Sequence, residues 1–202
     1  MAMQTSDYLI HLFMTLFLIF GVYQFYFWCQ RQRLRPVIQF STKVDDLIPF
    51  WPAWAWVYSF LYYPAIVYLN WVVGSPRHFN HLAMSFFVLL GIQMAFFLLF
   101  PVETPERWRD LAQGDGHSKR FLRFVQKFDA PSNCFPSMHV SVAMLTALHA
   151  KASLGPVAFA FPVLISISCL FTKQHYIVDI PFGVVIGWAA FKTFTWMGGG
   201  AG

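Results

Sequence analysis

Between Tyr8 and Trp28 the sequence runs almost without a polar residue. A run of that length crosses the roughly 30 Å hydrocarbon layer of a bilayer as one helix. A cleaved leader is the competing explanation. However, no Lys or Arg precedes the run, and Phe, Tyr and Trp crowd its end, where a cleavage site calls for small residues. The run therefore predicts a membrane helix. Composition extends the argument to the rest of the chain: 57% of the 202 residues are hydrophobic and only 11% are charged, against roughly 25% charged in a soluble domain. So little charge cannot cover a fold in water. A soluble globular protein is excluded, and a multi-pass integral membrane protein is expected.

Further apolar stretches divide the chain. A second span is expected over about 53–73, led in by the aromatic, proline-punctuated Ile48-Pro-Phe-Trp-Pro-Ala-Trp-Ala-Trp56 and kinked at Pro64. A third covers about 81–100, a fourth 136–152, a fifth 157–171 and a sixth 180–196, with Pro181 tolerated in the first turn of the last. The expected fold is all-α: one membrane-embedded domain over 1–197, a bundle of about six transmembrane helices, followed by a flexible Gly-rich tail at 198–202. The polar stretch 101–135, with interspersed charges and a Gln113-Gly-Asp-Gly116 turn, predicts a folded, partly helical connector. Six spans put the links 31–48, 102–135 and 172–179 on one side of the bilayer. The starts of the fourth and sixth spans then return to the same face. Cys29, Cys134 and Cys169 are widely spaced without a C-x-x-C pair, so neither a disulfide nor a zinc site is expected.

Two polar clusters carry chemistry. Pro136, Ser137 and His139 open the fourth span, where free helix-start N–H groups favour an anion and phosphate is the usual guest. Ser137 adds a hydroxyl and also suits a cap; His139 can supply a proton. In the second cluster His175 and Asp179 are four apart, on one face of a helical turn. A carboxylate so placed holds one ring N–H and aims the other nitrogen outward as a nucleophile. Lys173 sits beside them. Two histidines, one with a carboxylate orienter, beside a helix N-terminus and basic residues describe phosphoryl transfer through a phosphohistidine. No metal or cofactor is called for if Lys and Arg stabilise the charge.

Pro136-Ser137-Met138-His139 and His175-x-x-x-Asp179 resemble two signature motifs of the type 2 phosphatidic acid phosphatase family, whose pattern is K-x6-R-P, P-S-G-H and S-R-x5-H-x3-D. The resemblance implies His175 as nucleophile, Asp179 as its orienter, His139 as general acid and Ser137 as a phosphate ligand. Three features depart from the pattern. Met138 stands at the glycine position, Cys169 follows Ser168 where the arginine is expected, and Arg35-Pro36 lacks the lysine upstream, Trp28 standing there. Arg107, Arg109 and Lys173 are the candidate replacement cations. Arg107 and Arg109 can instead pair with nearby acids, and Lys173 can anchor at the interface. These departures, with Asp45-x-x-Ile-Pro-Phe-x-Pro-x-Trp54 and Lys173-Gln-His-Tyr176, are similar to the inositol phosphorylceramide synthase branch.

The expected activity is hydrolysis of a lipid phosphate at the membrane interface. The alternatives are transfer of a phospho-headgroup between lipids or to an alcohol, and a non-catalytic phospholipid-binding or transport protein. The expected partners are the bilayer and a phospholipid or other lipid phosphate, with no nucleic acid. Sidedness meets opposing arguments. Eleven of the fourteen Lys and Arg, among them Arg31, Arg33 and Arg35, fall on the active-site face, which the positive-inside tendency places in the cytoplasm. The resemblance points to the outer or lumenal face.

Overall fold

The computed structural model describes residues 4–32 and 34–198, so Arg33 and all of the expected tail but Gly198 lie outside the described residues. The described chain is helical, with one isolated parallel bridge between Ile38 and Val102. The helices are α1 (Thr5–Arg31), α2 (Lys43–Leu47), α3 (Ala55–Phe60), α4 (Tyr62–Val72), α5 (Pro76–Leu99), α6 (Glu106–Asp110), α7 (His117–Phe128), α8 (Met138–Leu154), α9 (Ala160–Phe171) and α10 (Asp179–Trp196). Among the described residues, three segments are long and apolar enough to cross a membrane: Thr5–Arg31, Pro76–Leu99 and Met138–Phe171. The last is two helices, α8 and α9, joined through a 3-10 turn at Gly155–Phe159.

Local chemistry explains the breaks. The second expected span is divided at Leu61 into α3 and α4. Pro64 has no N–H for the carbonyl of Phe60, and its ring crowds that carbonyl, so the helix resets there. The third span starts five residues before its expected beginning. Ser75 accepts the His78 N–H at 3.1 Å, and Pro76 fills the first helical position. The connector forms α6 and α7.

The surface is apolar and polar groups sit inside. Phe13, Phe17, Trp71 and Val157 are each at least 65% exposed, as suits a fold bathed in hydrocarbon. Inside, Gln93 of α5 donates to Ser141 of α8 at 2.8 Å, and Ser85 meets the His149 ring at 2.9 Å. Such bonds hold helices together where lipid provides no hydrophobic contrast. The α8–α10 crossing is the tightest. A Cβ on Gly183 would lie 2.7 Å from the Ser137 carbonyl, and one on Gly187 2.9 Å from Met144 Cβ. This small-xxx-small pair lets the two backbones touch, and it sets the start of α8 against the start of α10.

The three polar links meet. Ile38 donates to the Pro101 carbonyl at 2.9 Å, and Glu103 returns a bond to Ile38 at 3.0 Å. Tyr176 donates its hydroxyl to the Glu103 carbonyl at 2.6 Å, and the Ile177 N–H reaches Asp45 at 2.8 Å. The links expected on one face therefore form one polar layer around residues 172–179.

Candidate active site

Ser137 caps α8: its Oγ accepts the Val140 N–H at 3.3 Å, while its own N–H donates to the Asp179 carbonyl at 3.3 Å. His139 thus lies in the first turn of α8, two residues after the contact between Ser137 and the first residue of α10. The turn before α10 is shaped by Lys173, which takes a left-handed backbone (φ 58°). It lets Gln174 donate back to the Cys169 carbonyl at 3.1 Å and swings His175 inward.

His175 is 5% exposed. Its Nδ1 lies 2.9 Å from the Cys134 carbonyl and 3.1 Å from Asp179 Oδ2. A carbonyl can only accept, so Nδ1 carries a proton, and in the neutral ring Nε2 presents the lone pair. Asp179 is itself held, its Oδ2 accepting the Tyr176 N–H at 2.9 Å. Its Oδ1 is buried with no hydrogen-bond partner among the described residues. The His139 ring stands 5.7 Å from the His175 ring, edge to face. His139 stacks on Tyr58 at 4.1 Å, with Nδ1 3.4 Å from the Tyr58 hydroxyl, and Tyr62 donates to its backbone carbonyl. A nucleophile with a fixed tautomer beside a second histidine can transfer an acyl or phosphoryl group.

The structure thus gathers Ser137, His139, His175 and Asp179. The three cations named from the sequence have other partners. Arg107 Nη2 lies 2.9 Å from both carboxylate oxygens of Asp46 and also donates to Ser41; this pair spans distant links. Arg109 donates to the backbone carbonyls of Gln126 and Asp129. Lys173 donates to the Asp45 carbonyl at 2.5 Å and lies over the Trp108 ring. Burial lowers the pKa of its ammonium, opposed by Asp46 and Asp45. Cys169, at the arginine position of the motif, has its sulfur 4.0 Å from Ser137 Oγ. Ser168 donates to the Ile165 carbonyl at 2.7 Å.

Three neighbours of the histidines escaped sequence reasoning. Tyr58 and Tyr62 are four apart in an otherwise apolar span, a visible signal for one polar face. Asp129 accepts from Tyr26 at 2.8 Å and Gln30 at 2.7 Å. Burial raises its pKa, against those two donors, Arg109 and His175. Nothing in its mixed-charge surroundings distinguishes it from the other acids of the connector. It lines a small polar pocket with His175, Ser132, Asn133 and Gln174.

The described residues thus combine a helical fold and long apolar segments with a His–Asp pair beside a second His at a helix start. The sequence matches the PAP2 superfamily over residues 44–193, and the chain belongs to that superfamily, whose members are typically phosphatases. The match covers everything from α2 to the last turn of α10. A stretch of 73 residues is 39% identical to Uncharacterized protein MJ0662 of Methanocaldococcus jannaschii; it covers 35% of this chain and 30% of that protein's length. No solved structure matches.

Proposed function

We propose that this protein is a multi-pass membrane phosphatase that hydrolyses a lipid phosphate through a phosphohistidine. Six transmembrane helices carry it: α1, the α3–α4 pair, α5, α8, α9 and α10. The observation that supports the reading most directly is the fixed tautomer of His175, with His139 5.7 Å away ring to ring. The Nε2 lone pair attacks phosphorus. The N–P bond forms as the P–O bond to the lipid breaks, and His139 gives its proton to the departing oxygen. Water then attacks phosphorus, its proton passes to His139, and the N–P electron pair returns to Nε2. Asp179 holds the imidazole and stabilises its positive charge. Ser137 and the free N–H groups at the start of α8 receive the phosphoryl oxygens. The test is release of phosphate from labelled lipid phosphates in the presence of chelator by the purified protein. Full activity in His175→Ala would falsify the assignment.

One observation favours transfer as a second reading. Arg107, Arg109 and Lys173 are bound to Asp46, to backbone carbonyls and to Asp45. A phosphomonoester brings up to two negative charges, a phosphodiester one, so a site with few free cations suits the diester better. The inositol phosphorylceramide synthase-like branch, which passes a phospho-headgroup to an alcohol, fits that chemistry. Product that forms only when an acceptor alcohol is added would select this reading over hydrolysis.

A further inference from the structure

A cavity of about 340 Å³ opens beside His139 and runs between α1, α4, α5 and α8. Its walls are hydrocarbon: Leu18, Ile19 and Val22 from α1, Ile66 from α4, Leu82 and Phe86 from α5. Its mouth is polar. Tyr26, Tyr58 and Asp129 line both this cavity and the small pocket that holds His175. The cavity that His139 lines and the pocket that His175 lines therefore share a wall. The far end is closed by a polar pair. Thr15 donates to Asn70 Oδ1 at 3.2 Å, and Asn70 donates its amide to the Val67 carbonyl at 2.9 Å. Both residues are buried, and these polar groups bond to protein, leaving an apolar interior of the kind that stays dry and accepts hydrocarbon. The volume lies at the lower end of ordinary ligand pockets, which suits one chain better than two.

We propose that this cavity binds a single hydrocarbon chain of the substrate, with α1 as the element that selects its length. The inference rests on the function proposed above and names the part of the substrate that the histidines do not touch. The chain lies along α1, its phosphate ester at His139 and His175, its terminus against Thr15 and Asn70. The two ends are joined through α1, which supplies Thr15 to the floor and, through Tyr26 and Gln30, fixes Asp129 at the mouth. α1 precedes the segment matched to the superfamily, so one wall of the cavity and Thr15 of its floor lie outside that match, while Ile66 and Asn70 lie within it.

The test uses monoalkyl phosphates from hexyl to octadecyl, and the matching alcohols, with the purified full chain in detergent. Turnover and the shift in thermal unfolding are both recorded against chain length. Wild type is expected to show an optimum in both readouts, with affinity falling about fourfold for each methylene that no longer fits. Ile66→Phe narrows the cavity and should move the optimum to shorter chains. Thr15→Ala combined with Asn70→Ala deepens the floor and should move it to longer ones. A purely structural role for these residues predicts no opposed shifts. If folded wild type and variants share one chain-length profile, the proposal is overturned. If the thermal optima move as expected but no phosphate is released, the chain site stands and the phosphatase reading falls.

Discussion

The two histidines at the centre of this molecule sit close together in opposite surroundings. His175 is held by polar groups: a carboxylate and a carbonyl share its Nδ1 proton, and the carboxylate is anchored in turn by a backbone N–H. The neighbouring Tyr176, Ile177 and Lys173 tie the same turn to Glu103 and Asp45. His139 is held by rings, stacked on Tyr58 and edge-on to Tyr62, with one long contact at its Nδ1. The contrast separates two demands of phosphoryl transfer. A nucleophile needs one tautomer and one direction, which charge and hydrogen bonds impose. A proton donor must gain and lose its proton within one cycle, so aromatic packing can position it without committing its nitrogens. In the proposed reaction the polar side of the site aims and the aromatic side exchanges protons.

Removing each histidine should expose this division. His175→Ala is expected to lower turnover on lipid phosphates by on the order of 10³-fold or more, as loss of a covalent nucleophile does. No choice of leaving group should restore it. Asp179→Asn keeps the shape and leaves the Cys134 carbonyl to hold the Nδ1 proton, but loses the charge that stabilises the imidazolium; a fall of about 10²- to 10⁴-fold in kcat is expected, with KM little changed. His139→Gln should cost about 10²- to 10⁴-fold on alkyl phosphates. On p-nitrophenyl phosphate, whose leaving group needs no proton, the loss in kcat/KM, which reports the first step alone, should shrink to about tenfold or less; the attack of water still passes its proton to His139, so kcat stays low. Equal losses of kcat/KM for His139→Gln on both substrates would remove the distinction between the two histidines.

Much of this arrangement can be read from local sequence, and the unread part is non-local. Apolar run length marks the helices because the bilayer imposes a minimum span. Pro64 announces the break at Leu61, and Ser75-Pro76 announces the earlier start of α5, a cap signal that hydropathy alone overlooks. His175 and Asp179 declare their pairing by a spacing of four. The role of Asp45 is different: it meets Lys173 and Ile177 across 128 and 132 residues. Arg107 likewise finds Asp46 across 61 residues. Such pairings depend on the three links converging, which topology permits but spacing does not specify. The cavity is hidden for the same reason, since its wall and floor combine α1 with α4 and α5.

Lys173 lies on the polar side, and its contacts give a prediction of intermediate size. Its ammonium donates to the Asp45 carbonyl and lies over Trp108, so Lys173→Met should act first on stability. Loss of a buried charged hydrogen bond costs about 1.5–3 kcal/mol, which a lowered thermal midpoint would report. The fall in kcat/KM should be less than about tenfold, well below the 10²- to 10³-fold loss expected when a donor to the developing charge is removed. A large fall in kcat/KM with an unchanged midpoint would instead make Lys173 a phosphate ligand.

The smallest effect is expected on the aromatic side. The Tyr58 hydroxyl is 3.4 Å from His139 Nδ1, beyond the usual hydrogen-bond range and therefore weak. Tyr58→Phe keeps the stacked ring and should change kcat by no more than about threefold, since under about 0.7 kcal/mol is at stake. Tyr58→Leu removes the ring as well. A stacked pair is worth about 0.5–1.5 kcal/mol, so a further loss of about twofold to tenfold should appear on alkyl phosphates. On p-nitrophenyl phosphate that further loss should vanish from kcat/KM, because phosphorylation of His175 then needs no proton from His139. A Tyr58→Phe loss as large as that of His139→Gln would show that the hydroxyl, not the ring, positions the donor, and His139 would then be as dependent on a polar partner as His175.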